Sequence, residues 1–129
     1  MPPQKFAMLD YHIGNIGSLS NAFNNVGIDI TLTLDEAEIR QAPALILPGV
    51  GQFTEAMRNL QNSGLVDLLK ELAESGKPML GICLGMQLLM SSSEECDLYK
   101  GLNIIPGSAK RFPDATTEIP YKIPHIGWN

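Results

Sequence analysis

Apolar runs and helical repeats alternate along the first 90 residues. Phe6-Ala7-Met8-Leu9 is apolar at successive positions and stops at Asp10, the pattern of a strand buried on both faces. After a loop from Asp10 to Asn15, the residues Ile16, Leu19, Ala22, Phe23 and Val26 return at helical spacing and form one face of a helix. Gly27 follows as its C′ residue. Ile28 to Leu32 alternates apolar and polar positions beside β-branched Thr31 and Thr33 and predicts a second strand. A short helix is expected over 35–40, with its acids in the favourable first turn. Ala44-Leu45-Ile46-Leu47 is a third buried strand, stopped by Pro48-Gly49. Phe53, Met57 and Leu60 mark one helical face; Leu65, Leu68, Leu69 and Leu72 mark another, ended by Gly76. Pro78 to Ile82 reads as a fourth strand, and Leu84 to Met90 as a buried helix.

Strands separated by helices imply a parallel sheet covered on both faces. Right-handed crossovers then give an α/β, doubly wound, flavodoxin-like layout. From Ser91 the pattern weakens. Ser91 to Glu95 reads as a polar loop, and short strands are expected around 103–105 and 109–112, as the start of an antiparallel region. No repeat or linker interrupts the chain, so residues 1–129 are read as a single domain.

Composition narrows the classes. The chain has 129 residues, enough to bury roughly 65–70% of its unfolded surface. It carries a net charge of -5 and a pI near 4.9. Such an acidic domain with no basic stripe is a poor fit to nucleic acid or to an anionic membrane surface. No signal-peptide h-region or membrane-length apolar run is present, so a soluble cytoplasmic setting is expected. Two cysteines, Cys83 and Cys96, do not make a disulfide scaffold. No His-rich or Cys-rich spacing points to a metal, and no phosphate-loop pattern is present. No cofactor is expected.

In a doubly wound sheet the chemistry lies at the carboxyl ends of the strands. Three segments fall there: 10–15, 48–52 and 81–87. Gly81-Ile82-Cys83-Leu84-Gly85 is G-x-C-x-G between a predicted strand and a predicted helix, parallel to the G-x-S-x-G nucleophile elbow. A turn this sharp strains its central residue, and flanking glycines remove side chains that would collide. The thiol is then exposed above a helix N-terminus, a setting that favours thiolate. The competing reading is a buried structural cysteine. Pro48-Gly49-Val50-Gly51-Gln52 lets backbone N–H groups face a site, as an oxyanion hole requires, or is an ordinary turn. A base for Cys83 would have to be His12 or His125 if it came from this chain; each also reads as an ordinary loop residue. Asp67, Lys70, Glu71 and Glu74 read as a solvated helix face.

Gly81-Ile82-Cys83-Leu84-Gly85-Met86-Gln87 resembles the nucleophile motif of class I, triad-type glutamine amidotransferases. Asp10-Tyr11-x-x-Gly14-Asn15, Leu47-Pro48-Gly49-Val50-Gly51 and Pro124-His125-Ile126-Gly127-Trp128-Asn129 narrow the resemblance to the glutaminase subunits of imidazole glycerol phosphate synthases. The resemblance implies that Cys83 attacks the side-chain amide of L-glutamine, releasing ammonia and then glutamate. It implies an oxyanion hole from the N–H groups of Val50 and Leu84, with a Gly49–Val50 peptide that reorients. It assigns Gly51, Gln87 and Glu95 to glutamine. It also implies a (β/α)8-barrel cyclase subunit as partner, faced by Asn15 and by His125, Trp128 and Asn129.

Two departures stand out. Position 12 is His where family members often have Gly. The family's catalytic His and Glu come from a later stretch of chain, and no His-x-Glu pattern occurs in these 129 residues. The expectation is therefore an incomplete amidotransferase domain with very weak turnover alone, prone to self-association through an open sheet edge. The alternatives are a non-catalytic module docking on a barrel partner, and an amidotransferase subunit of a sugar-amidation pathway.

Overall fold

The computed structural model describes residues 5–12, 14–114 and 118. Its strands are β1 (Lys5–Leu9), β2 (Asp29–Thr33), β3 (Leu45–Leu47), β4 (Met79–Gly81), β5 (Met90–Ser93) and β6 (Ile105–Ala109). Its helices are α1 (Ile16–Asn25), α2 (Glu36–Gln41), α3 (Phe53–Asn62), α4 (Val66–Glu74) and α5 (Leu84–Leu89). The first four strands form one parallel sheet in the order β2-β1-β3-β4. The strand order reverses at β1, as in a flavodoxin-like sheet. The alternation read from the apolar runs thus yields the expected α/β architecture.

The two sheet faces differ. Ala7, Leu9, Leu45 and Leu47 point into a continuous core shared with Ile39 of α2, Phe53 and Leu60 of α3, Leu69 of α4 and Leu88 of α5. Met8 and Ile46, at the alternate positions, are also buried, but their face is more open. There Phe23 of α1 joins Phe6, Ile46, Met79 and Leu80 around an apolar groove of about 410 Å³. Leu80 and Leu32 are 50% and 46% exposed. Among the described residues this face is thus covered less closely than the other.

Helix ends follow local chemistry. The Asp35 carboxylate accepts the Glu38 N–H at 3.0 Å and caps α2, satisfying one of the donors that a helix start leaves free. Arg40 at the other end of α2 makes a bidentate pair with Glu71 of α4, both contacts at 3.0 Å, and a third bond to Glu36 at 2.9 Å. Glu71 is solvated, as read, and also clamps two helices together. No described helix is long and apolar enough to cross a membrane.

The region after residue 90 departs from the expectation. Ser91-Ser92-Ser93 lies in strand β5 rather than in a polar loop, and β5 pairs with β6 in parallel, not antiparallel, with a bulge between Met90 and Ser92. The pairing rests on polar groups that carry no hydrophobic period: the Ser92 and Ser108 hydroxyls meet at 2.6 Å. The connecting chain runs back along α5 and β5. Leu102 N–H donates to Leu88 C=O at 2.7 Å, and Asn103 N–H to Met90 C=O at 3.1 Å. Strand β6 itself contains Pro106 and Gly107, residues that demote a strand when sequence is read alone.

Candidate active site

The elbow is built by close backbone approach. Ile82 N–H donates to Leu47 C=O at 2.9 Å, tying the end of β4 to the end of β3. The chain then turns at once into α5. Cys83 takes φ 54° and ψ −118°, a conformation sterically costly for a residue with a Cβ. A Cβ on Gly85 would stand 1.9 Å from the Leu47 carbonyl oxygen, and one on Gly81 would stand 2.7 Å from Met86 backbone. Both glycines are thus required by crossing backbones, as the G-x-C-x-G spacing anticipates. Cys83 is exposed and Leu84 is buried, so the turn presents the thiol and hides the next side chain. The structural-cysteine reading fits Cys96 instead, which is buried, unbridged, and accepts the Tyr99 N–H at 3.3 Å.

The loop after β3 lies against this elbow. Gly49 is buried, and its Cα is enclosed by the Tyr11 hydroxyl, Leu84 and Gly85. The Gly49 carbonyl accepts the Leu84 N–H at 3.2 Å. Leu84 N–H, read as an oxyanion donor, is therefore engaged by a backbone oxygen. Val50 is half exposed, and its side chain lies 4.0 Å from the position a Cβ on Gly14 would take. Gly51 has φ 111° and open space around it.

Gln87 and Glu95 come together in one cavity of about 470 Å³, with Ser93, Glu94, Lys110 and Arg111. The cavity is next to the elbow: Gln87 N–H donates to Cys83 C=O at 3.3 Å, one helical turn on. The Glu94 side chain accepts the Arg111 N–H at 3.0 Å and so ties together the segments that follow β5 and β6. Asn15 is exposed at the start of α1, with φ 72°. His12 is exposed with φ 65°, a backbone region where glycine meets no steric cost. His125, Trp128 and Asn129 lie outside the described residues. Among the described residues, no group of three or more His, Cys, Asp or Glu side chains is placed to hold a metal ion.

Sequence reasoning missed two features here. Ser93, Lys110 and Arg111 reach the cavity through the parallel β5–β6 pairing, which was not foreseen. The Tyr11 phenol, buried at the end of β1, donates to the Pro48 carbonyl from 37 residues away. Burial raises its pKa well above the ordinary phenol value, so the hydroxyl keeps its proton. A bulky aromatic two residues after a buried strand was the available signal.

A strained cysteine on a strand-to-helix turn, beside a glycine loop whose carbonyl faces the next backbone N–H, has the geometry of a nucleophile elbow. The chain matches the glutamine amidotransferase class-I family over residues 7–129 and belongs to that family. It is 49% identical over 123 residues to imidazole glycerol phosphate synthase subunit HisH of Moorella thermoacetica, covering 95% of this chain and 56% of that relative. It is 51% identical over 122 residues to the HisH subunit of Listeria innocua, covering 95% and 57%. With the HisH subunit of Geobacter sulfurreducens it is 44% identical over 127 residues, covering 97% and 61%. The chain thus spans well under two thirds of the length of these relatives. A solved glutamine amidotransferase superposes with a TM-score of 0.72 at 20% identity, over 82% of this chain and 56% of that one; this likeness concerns the fold.

Proposed function

We propose that this chain supplies the nucleophile and oxyanion side of a glutaminase site whose ammonia is passed to a cyclase subunit making imidazole glycerol phosphate in histidine biosynthesis. The Cys83 sulfur attacks the side-chain amide carbon of glutamine. The tetrahedral intermediate expels ammonia, the leaving nitrogen taking a proton, and leaves a γ-glutamyl thioester. Water then attacks the thioester, glutamate departs, and the thiol is restored. Neither His12 nor His125 matches the family's base by position, so the His and Glu that move these protons are not assigned within the 129 residues.

One observation carries the reading: the Gly49 carbonyl lies 3.2 Å from Leu84 N. An oxyanion donor is useful only if aimed at the charge that develops on the substrate oxygen. In the reading proposed here, glutamine displaces the Gly49 oxygen. Rotation of the Gly49–Val50 peptide exchanges that carbonyl for the Val50 N–H and opens Leu84 N–H in the same movement. Gly51, with its open surroundings, absorbs the rotation. Gln87 and Glu95 hold the amino-acid end of glutamine in the adjacent cavity. Asn15, with His125, Trp128 and Asn129, faces the barrel of the cyclase, giving a cytoplasmic heterodimer.

A glutamine-derived chloroketone tests the site directly. Cys83 is expected to be alkylated, millimolar-range glutamine to protect it, and Cys83→Ser to abolish the adduct. Labelling indifferent to glutamine would sink the amidotransferase reading. Ammonia release by the 129 residues with saturating cyclase is expected to stay a small fraction of that of a full-length subunit; equal turnover would refute the placement of the base outside this segment.

A further inference from the structure

We infer that Tyr11 is a positioning residue for the oxyanion loop: its buried hydroxyl pins the Pro48 carbonyl, so that only the Gly49–Val50 peptide next to it is free to turn. The inference rests on the glutaminase reading above for its consequence, but on geometry alone for the pin.

Rotating one peptide in place requires the peptides on either side to stay still. On the upstream side stands the Pro48–Gly49 unit. Proline has no backbone N–H, so its carbonyl is the one main-chain handle by which Pro48 can be held. The Tyr11 hydroxyl donates to that carbonyl. Tyr11 is 1% exposed, so water does not compete for either partner. Burial raises its pKa above the ordinary phenol value, so the hydroxyl stays a donor at neutral pH.

The same oxygen also shapes the next residue. A Cβ on Gly49 would meet the Tyr11 oxygen at 3.0 Å, Gly85 N at 3.1 Å and the Leu84 Cβ at 3.1 Å. Gly49 Cα is therefore seated between the phenol and the elbow, and its own carbonyl reaches Leu84 N–H at 3.2 Å. Beyond the turning peptide, Gly51 has open space around it. The loop thus has a fixed end at Pro48 and a free end at Gly51. Without the pin, rotation spreads back into Pro48 and the Val50 N–H loses its aim. Donors must meet the oxyanion within about 2.7–3.1 Å to act, so a small loss of aim has a large effect.

Tyr11→Phe removes the hydroxyl and keeps the ring. Two measurements on the purified chain test it. Amide hydrogen exchange reads the pin: exchange at Leu84 is expected to accelerate about tenfold, with Leu45 and Leu47 in β3 unchanged, since local opening is read amide by amide. A γ-aldehyde analogue of glutamine reads the consequence. Its hemithioacetal with Cys83 places an oxyanion where the donors converge, and Tyr11→Phe is expected to weaken capture about tenfold. Simple alkylation of Cys83 by iodoacetamide, which forms no oxyanion, should change less than about twofold. Unchanged exchange at Leu84 would overturn the pin. Unchanged capture, or tighter capture by Tyr11→Phe, would overturn its positioning role; tighter capture would mean that the hydroxyl holds the loop shut. Failure of the wild-type chain to capture the aldehyde at all would instead refute the glutaminase reading, and the positioning role with it, while leaving the exchange result to judge the pin.

Discussion

Gly85 in the elbow and Gly51 in the neighbouring loop both follow a parallel strand. Their reasons for being glycine are opposite. Gly85 has no room: a Cβ there would lie 1.9 Å from the Leu47 oxygen. Gly51 has room on every side, but its φ of 111° is one that side chains resist. The elbow is fixed by packing, whereas the loop is packed and bonded at Pro48 and Gly49 and open at Gly51. In the proposed glutaminase, this design would keep the nucleophile rigid while the oxyanion donor turns. The strain that Cys83 carries is held in place by the Ile82–Leu47 hydrogen bond and by the buried α5 behind it, as stored strain requires.

The comparison breaks most sharply at Gly85. Gly85→Ala must separate α5 from β3, and overpacking of this severity costs about 3 kcal/mol or more. Urea denaturation is expected to show that loss, together with loss of glutamine-protected labelling at Cys83. Stability within experimental error of wild type would show that the elbow yields, and that the two loops are not of different kinds.

Gly51→Ala tests the other side with a smaller effect. No atom meets the new methyl group, so the cost is conformational, about 1–2 kcal/mol for a side chain forced to positive φ. Iodoacetamide should still alkylate Cys83 at close to the wild-type rate, while protection by glutamine weakens. A loss of both together would place Gly51 with the rigid elbow rather than with the turning loop.

The same division explains what could be read from sequence. The alternation of strands and helices and the position of Cys83 follow from apolar runs and from glycines forced by crossing backbones, and both signals are local. The reach of Lys110 and Arg111 towards Gln87 was not legible, because it depends on a parallel pairing made by serine hydroxyls and by a strand containing Pro106 and Gly107. Neither has a hydrophobic period. The bond from Tyr11 to Pro48 is long-range and polar, so no periodicity marks it. The carbonyl of Gly49 facing Leu84 is a choice between two orientations of one peptide, which the residues Pro48-Gly49-Val50-Gly51 permit equally.

The smallest expected effect lies far from both loops and shows whether their contrast is local. Arg40 joins α2 to α4 through Glu71 and pairs with Glu36 within α2, both contacts being solvent-exposed. Such pairs contribute little because water and salt screen them. The Glu71 carboxyl is held below its ordinary pKa by the Arg40 hydrogen bond and charge. A lowered carboxylate pKa stabilises the fold above the unfolded-state value, and the contribution fades as pH falls through the folded-state value. Arg40→Gln is therefore expected to lower the thermal midpoint slightly at pH 7, and the difference from wild type should close as the pH falls below the carboxylate range. Labelling of Cys83, with and without glutamine, should not change. If Arg40→Gln altered glutamine protection as Gly51→Ala does, the response of the oxyanion loop would reflect general loosening of the domain, and the distinction between a packed elbow and a turning loop would fail.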